Sequence, residues 1–434
     1  MNKEYLVIPQ SHDLNRGDQA LVWESARLAR DAGFDGSYYL MGEDDENIRQ
    51  TKEEGFTPCA PILKHPSRVF KNKNNITYGS ILKMQWGVVA LFDLIFSLLL
   101  LFKPSRNLLK NLVSSKTKRT LDIYINVDAV FVKGGGFVHG YGGLVSTYYI
   151  YFVLYHIILA QKMKTPVYIF PNSFGPFKGP FVKFLVKKVL KNCEYVTARE
   201  SISASMVEKE LGINVSVRPD LGFFLEPSKK TEMKDYLIDL GVPLGSKECV
   251  AITMRPYRFP EYSDPKEAYM NYKNSMAEFI NYISEKGYHI VLVEHTLSKN
   301  SHENDMSSIQ DIIPQIKDSD YTIISDSTLT SREVKSLYSY CSYMIGTRFH
   351  SVIFSMAERV PAIAITYGGN KGQGIMNDIG IPEYAISINE INTNTLKKSF
   401  DHLTLHKKEA IHLIDSYLRK IEVDRNEMIK IIRK

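Results

Sequence analysis

The sequence predicts an α/β protein made of two Rossmann-like, doubly wound domains in a GT-B-like arrangement. Three observations carry this expectation. The 434 residues exceed what one ordinary core fills. Short β-branched runs alternate with helical patterns in both halves, which implies parallel sheets. Many of those runs are continuously apolar, as strands covered on both faces are.

In order along the chain, EYLVIP (4–9) reads as a first strand, and Asn15-Arg16-Gly17-Asp18 leads into QALVWESARLARDAG, whose apolar spacing is helical and whose stop is Gly33. INVDAVFVKGGGFVHGYGG passes from a strand into glycines. The helix LVSTYYIYFVLYHIILAQKMK and the strand PVYIF follow. FVKFLVKKVLKN, EYVTARE and VSVRPDLGFFL complete the first half, and the charged EPSKKTEMKDY reads as a linker, with the domain boundary at 226–240. The second half repeats the alternation through CVAITMR, HIVLVEH, YTIIS, SYMIGTR and PAIAITYG, with helical patterns between them. The expected organisation is therefore an N-terminal domain over 1–230 with an insertion at about 64–119, a C-terminal domain over 240–390, and terminal helices over 391–434. In such an arrangement the active site is expected in a cleft at the carboxyl edges of the two sheets.

The net charge of +6 conceals an uneven distribution: between Gly55 and Leu121 eleven Lys/Arg face one acid, Asp93. Within that segment lies the apolar run GVVALFDLIFSLLLLF (87–102), sixteen residues with a single charge. Sixteen is fewer than the roughly 20 residues that span a bilayer. An apolar helix between basic flanks instead fits an interfacial anchor, because cationic side chains attract anionic headgroups. The alternative is a helix covering a domain edge. MNKEYLVIPQ lacks the features of a secretory signal, so a cytoplasmic position, peripheral on the inner face of the cell membrane, is expected. The four cysteines are far apart and in no metal-ligand spacing, which suits reduced thiols. No nucleic-acid partner and no bound metal are expected; Glu294-His295 with His302, Glu303 and Asp305 form a polar group but not a recognisable metal spacing.

Chemistry concentrates at strand ends. In Gly346-Thr347-Arg348-Phe349-His350, a permanent cation and a titratable imidazole stand two positions apart where a strand meets a helix. An anion there would meet a guanidinium fork, free backbone N–H groups and the positive helix end, with His350 able to move a proton. The alternative is a salt-bridged Arg and a hydrogen-bonded core His. Lys371, on a glycine loop after Tyr367, is a second cation for the same place, or else a solvated lysine. Gly134-Gly135-Gly136 permits close backbone approach and an anion-binding nest, without dinucleotide spacing. Arg199 sits at another strand-to-helix junction, where pairing with Glu200 is the alternative to substrate binding. Asn15 and Asp18 could bind a sugar hydroxyl, although helix capping alone would explain Asp18.

In order and content these motifs resemble the polysaccharide pyruvyl transferase family across most of the chain. The matching elements are Asn15-Arg16-Gly17-Asp18, Gly134 to Gly136, Ser173-Phe174-Gly175-Pro176, Arg199 with Ser201, Pro219-Asp220, Arg348 with His350, and Tyr367 with Lys371. The resemblance implies phosphoenolpyruvate as donor, no cofactor, and a cyclic pyruvate ketal formed on a sugar of a surface polysaccharide or its lipid-linked precursor. On that reading His350 is the catalytic acid. Arg199, Arg348, Lys371, Gly135 and Gly136 bind the donor, and Asn15 and Asp18 meet the acceptor.

Two other readings compete. A nucleotide-sugar glycosyltransferase of the same fold would use an acid on the SMAERV helix for ribose, and Glu358 is available. A non-catalytic glycan-binding or scaffold member would need neither.

Overall fold

The computed structural model describes residues 3–42, 46–63, 65–70, 79–298, 303–317, 320–368 and 371–433. The chain forms two compact units. One comprises Met1–Asp13, Leu21–Asp220 and Glu427–Lys434, the other Leu14–Ala20 and Leu221–Asn426.

The first unit's elements begin with β1 (Glu4–Ile8), α1 (Arg16–Asp31, whose first turn belongs to the second unit), β2 (Ser37–Met41), α2 (Arg49–Glu53) and β3 (Phe56–Cys59). Four helices follow: α3 (Pro66–Val69), α4 (Ser80–Leu100), α5 (Lys103–Leu109) and α6 (Ser115–Asn126). Then come β4 (Ala129–Val132), β5 (Gly135–Tyr141), α7 (Gly143–Lys162), β6 (Val167–Lys178), α8 (Val182–Lys191), β7 (Tyr195–Ala198), α9 (Ser201–Leu211) and β8 (Ser216–Val217). The strands form one parallel sheet in the order β3-β2-β1-β4-β6-β7-β8, with β5 against β6. Tyr5, Leu6, Val7 and Ile8 of β1 and all of β4 are buried, as a central strand covered on both faces requires.

The second unit holds α10 (Lys230–Asp239), β9 (Cys249–Thr253), α11 (Pro265–Glu285), β10 (His289–Val293), α12 (Asp305–Ile312), β11 (Tyr321–Ile324) and α13 (Ser331–Tyr338). It continues with β12 (Tyr343–Gly346), α14 (Phe349–Ala357), β13 (Ala362–Thr366), α15 (Lys371–Ile379), β14 (Ala385–Ser387), α16 (Thr393–Leu405) and α17 (Lys407–Ile432). Its sheet, also parallel, runs β11-β10-β9-β12-β13-β14. Numbered within the unit this is 3-2-1-4-5-6, the doubly wound order, and its direction reverses between β9 and β12. The expectation of two Rossmann-like α/β domains is met.

Local details of the structure refine the expectations. The linker at 226–240 contains α10, whose buried Met233 and Leu237 stand one turn apart among charges. VSVRPDLGFFL contributes only Ser216–Val217 as strand before a 3-10 turn at Leu221–Phe224. Gly135 and Gly136 open β5, with Gly135 in register with Asn172 of β6. The apolar segment is longer than the run 87–102, since α4 has 21 residues. By length and composition α4 and α7 could each cross a membrane, although nearly half of α7's apolar window is buried in the protein. Lys64, Lys71 and Lys73 of the basic segment lie outside the described residues.

Candidate active site

The second unit's site begins where β12 ends. Gly346 pairs with Thr253, the last residue of β9, so the chain leaves the sheet at its switch point. A Cβ on Gly346 would stand 2.7 Å from Val352 and 2.8 Å from Ser351 Oγ, which explains the glycine. Thr347 Oγ1 donates to the Thr253 carbonyl (2.9 Å), and Thr253 Oγ1 and Ser351 Oγ are 2.9 Å apart, fixing the turn. Arg348 is the residue immediately before α14, and His350 lies in that helix's first turn.

Arg348 is largely buried. Its Nε and Nη2 both approach Asp305 Oδ1 (2.7 Å), and Nη2 also donates to the Glu303 carbonyl (2.6 Å). Asp305 opens α12 and is fully buried; its Oδ2 accepts from the His295 and Thr296 backbone N–H groups. Burial pushes the Asp305 carboxyl up to about 6, against the opposing pull of Arg348.

The segment Leu14–Ala20 packs into the same place. Asn15 forms a β-bridge with Thr296, and Arg16 N donates to the His295 carbonyl. The Arg16 side chain is wholly buried and reaches the Asp326 carbonyl (2.8 Å), while its own carbonyl accepts from Ser331 Oγ. Asn15 Oδ1 accepts from the Asp18 N–H and its amide donates to Asp18 Oδ2, so Asn15 caps α1 and Asp18 bonds back to it. Gly17 lies against the imidazole of His350: a Cβ there would stand 2.1 Å from Nδ1.

His295 forms the floor. It is fully buried, with Nδ1 3.0 Å from the Tyr338 hydroxyl. Nε2 is buried with no hydrogen-bond partner among the described residues. Burial holds its pKa well below the usual histidine value, and the electrostatic influence of neighbouring His350, Arg348, Arg16 and Lys371 lowers it further. The imidazole is therefore neutral near pH 7. Whichever of Nδ1 and the Tyr338 hydroxyl donates sets the tautomer, and Nε2 is then a buried acceptor or donor open to a ligand. Lys371 opens helix α15 instead of riding on a glycine loop, and its Nζ lies 5.7 Å from the Phe349 ring centroid. Tyr367 takes Arg255 over its ring, 4.1 Å from the centroid.

The first unit carries a separate cluster. Arg199, fully buried, donates to Ser173 Oγ (2.7 Å) and Asp220 (2.8 Å), and lies 3.4 Å from Glu200. Gly136 admits it closely, since a Cβ there would be 3.0 Å from Arg199 Nη2. Nη2 and, beside Gly135, Asn172 Oδ1 are buried without hydrogen-bond partners among the described residues. A buried donor and a buried acceptor left open along a glycine strand are what a polar ligand would satisfy.

The structure thus brings Asn15, Asp18, Arg348, His350 and Lys371 into one unit and Arg199, Gly135 and Gly136 into the other. Arg16, legible only as part of the opening motif, and His295, legible only in a polar group at a strand end, join these sites, as do Tyr338 and Asn172, which nothing in the sequence marks. Among the described residues no three His, Cys, Asp or Glu side chains group as metal ligands, and Asp305 is engaged by Arg348. His302 lies outside the described residues.

Two parallel doubly wound domains, the second gathering cationic side chains near a buried histidine at its switch point, define a Rossmann-type α/β protein. This chain belongs to the polysaccharide pyruvyl transferase family, whose sequence profile matches residues 15–369. It is similar to the amylovoran biosynthesis protein AmsJ of Erwinia amylovora, at 29% identity over 271 residues, 61% of this chain. The match spans 62% of that relative's length. Among solved structures it resembles MnaA of S. aureus in its UDP co-structure, with TM-score 0.54 and 10% identity over 95% of this chain and 90% of that one. UDP-GlcNAc 2-epimerase from Neisseria meningitidis bound to UDP-GlcNAc gives TM-score 0.50 and 11% identity over 97% and 99%. At these identities the likeness shows the fold alone.

Proposed function

We propose that the protein transfers pyruvate from phosphoenolpyruvate to a sugar of a surface polysaccharide or its lipid-linked precursor, forming a cyclic ketal. It would act at the cytoplasmic face of the membrane, held there through residues 64–119. The observation that carries the donor reading is the convergence of Arg16, Arg348, His350 and Lys371 on the buried, neutral His295 at the start of α14. Asp305 pairs with Arg348, and the cluster of cationic side chains beside the helix start is the feature that suits a donor carrying a carboxylate and a phosphate.

His350 gives a proton to the methylene carbon of phosphoenolpyruvate, and a sugar hydroxyl bonds to the adjacent carbon. A second hydroxyl then takes the phosphate's place on that carbon, and inorganic phosphate leaves. The hydroxyl protons return to His350 and to phosphate, so the reaction balances with no change of oxidation state and no cofactor. Arg348 and Lys371 hold the donor's anionic groups, and His295 Nε2 donates to one of them. In the first domain Arg199, Gly135 and Gly136 serve as substrate-binding groups. The half-buried Asn15 and Asp18 are the acceptor contacts.

The nucleotide-sugar alternative needs an acid for ribose. Glu358 stands at the far end of α14, about 12 Å along the helix from His350. There it is ion-paired with Lys230 (2.7 Å), with Lys335 also near. Thermal melting with phosphoenolpyruvate and, in parallel, UDP-sugars separates the readings. A donor at 100 times its Kd stabilises the folded state by about 2.7 kcal/mol. A shift with phosphoenolpyruvate that is reduced in Lys371→Ala supports pyruvyl transfer. A shift with UDP-sugars alone, or with neither, overturns it.

A further inference from the structure

Helix α4 is apolar on the side it shows to solvent, the reverse of a helix on an ordinary protein surface. Ile81, Met84, Val88, Phe92, Ile95 and Leu99 are 43–72% exposed and follow one another at intervals of three or four residues, so they form one stripe along the helix. The other side makes one hydrogen bond within the insertion and one to α7, and of the whole helix only Ser97 and Leu100 are buried. Trp86 Nε1 donates to the Phe70 carbonyl (2.9 Å), and Ser97 Oγ lies 2.7 Å from the Tyr151 hydroxyl of α7, with Leu100 fully buried beyond it. These anchors are eleven residues, about 16 Å, apart along the axis. A helix held at both points lies along its domain. Standing it upright across a bilayer would break one anchor or carry the domain into the lipid.

The charges around α4 select the occupant. Lys83 near one end and Lys103 just past the other are exposed. Between Gly55 and Leu121 eleven basic residues face one acid, and that acid, Asp93, is half-buried and off the exposed stripe. A second copy would bring an equally cationic segment against this one. A layer of anionic headgroups over hydrocarbon complements both the stripe and its ends.

We propose that α4 is a monotopic docking element that lies in the plane of an anionic bilayer surface, its apolar stripe in the acyl boundary and its terminal lysines on lipid phosphates. This deepens the membrane placement proposed above by assigning the contact to one helix face, and it makes that contact a property of the protein without donor or acceptor. A lipid-linked acceptor would then be met at the surface to which the enzyme is already bound.

The full-length protein is tested by flotation with phosphatidylcholine vesicles and with vesicles containing phosphatidylglycerol, at about 0.15 M and 0.5 M salt. The variants are Val88→Ser/Phe92→Ser/Ile95→Ser and, separately, Lys83→Gln/Lys103→Gln. All five residues are exposed, so circular dichroism and melting should be unchanged. Wild type should float with the anionic vesicles and keep part of that binding in high salt. The stripe variant should lose more than about tenfold in partitioning, and the lysine variant should lose mainly the preference for anionic lipid. Equal flotation of wild type and the stripe variant, or no flotation of wild type, overturns the proposal. So does a dimer of wild type in light scattering that the stripe substitutions dissociate, because the stripe would then be a contact between copies. No donor is present, so failure here leaves the pyruvyl-transfer reading to its own melting test.

Discussion

Gly17→Ala reverses the ordinary sign of a glycine substitution. In the first turn of α1, exchanging glycine for alanine would normally stabilise by up to about 1 kcal/mol. Here the new Cβ would lie 2.1 Å from Nδ1, 2.4 Å from Cγ and 2.8 Å from Cβ of His350. All three distances are far inside van der Waals contact, and the obstacle includes the root of the imidazole as well as its tip. Either His350 leaves its rotamer or the first turn of α1 shifts, an overpacking that costs about 1–3 kcal/mol. A displacement of about 1 Å at a group that must reach the reacting carbon costs on the order of 10²-fold in rate. The assay is a double-mutant cycle. Gly17→Ala, His350→Ala and the double variant are compared by melting, and the wild type and Gly17→Ala by turnover of phosphoenolpyruvate with a polysaccharide acceptor. Gly17→Ala alone should be less stable and nearly inactive, whereas in the His350→Ala background it should be neutral or stabilising. Additive stabilities, or a Gly17→Ala protein with normal turnover, would refute the packing of the Asn15–Asp18 segment against His350.

The remaining expectations concern charge and protons. His350→Gln keeps much of the imidazole's volume and should lose roughly 10²-fold or more in turnover with little change in melting; near-normal turnover would remove His350 as the acid. Asp305→Ala leaves the buried Arg348 guanidinium without its carboxylate and should destabilise the second domain by about 3–5 kcal/mol in denaturant titrations. A loss below about 1 kcal/mol would show that Arg348 is solvated there. His156 is buried in the first domain, where its Nε2 accepts from the Ile62 N–H, and burial lowers its pKa from the usual 6.5 to about 3. Its neutral form belongs to the folded state, so its contribution is complete above pH 6.5 and is lost progressively as pH falls from there toward 3. His156→Gln should flatten part of the decline in melting temperature between pH 7 and 4.5; superimposable profiles would count against this.

Much of the architecture was legible because strand and helix periods, turn glycines and continuous apolar runs are local properties. β9 through β13 could be placed from such runs, and so could Arg348 and His350 at a strand end. Helix α10 was hidden because it buries only Met233 and Leu237 among many charges. That Gly135 and Gly136 open a strand was not legible, because glycine does not reveal that β6 lies alongside to pair with it.

The sequence by itself determined the two-domain α/β class, the order of the motifs, and the presence of an apolar helix in a basic segment, because each is written in neighbouring residues. Tertiary structure decided which charges meet. It sets Arg348 against Asp305, Gly17 against His350, and the charges of Arg16 and Lys371 near His295. It also decided that α4 buries only Ser97 and Leu100 and leaves an apolar stripe bare. Burial and ion pairing depend on parts of the chain far apart in sequence, and only folding gives those parts a distance.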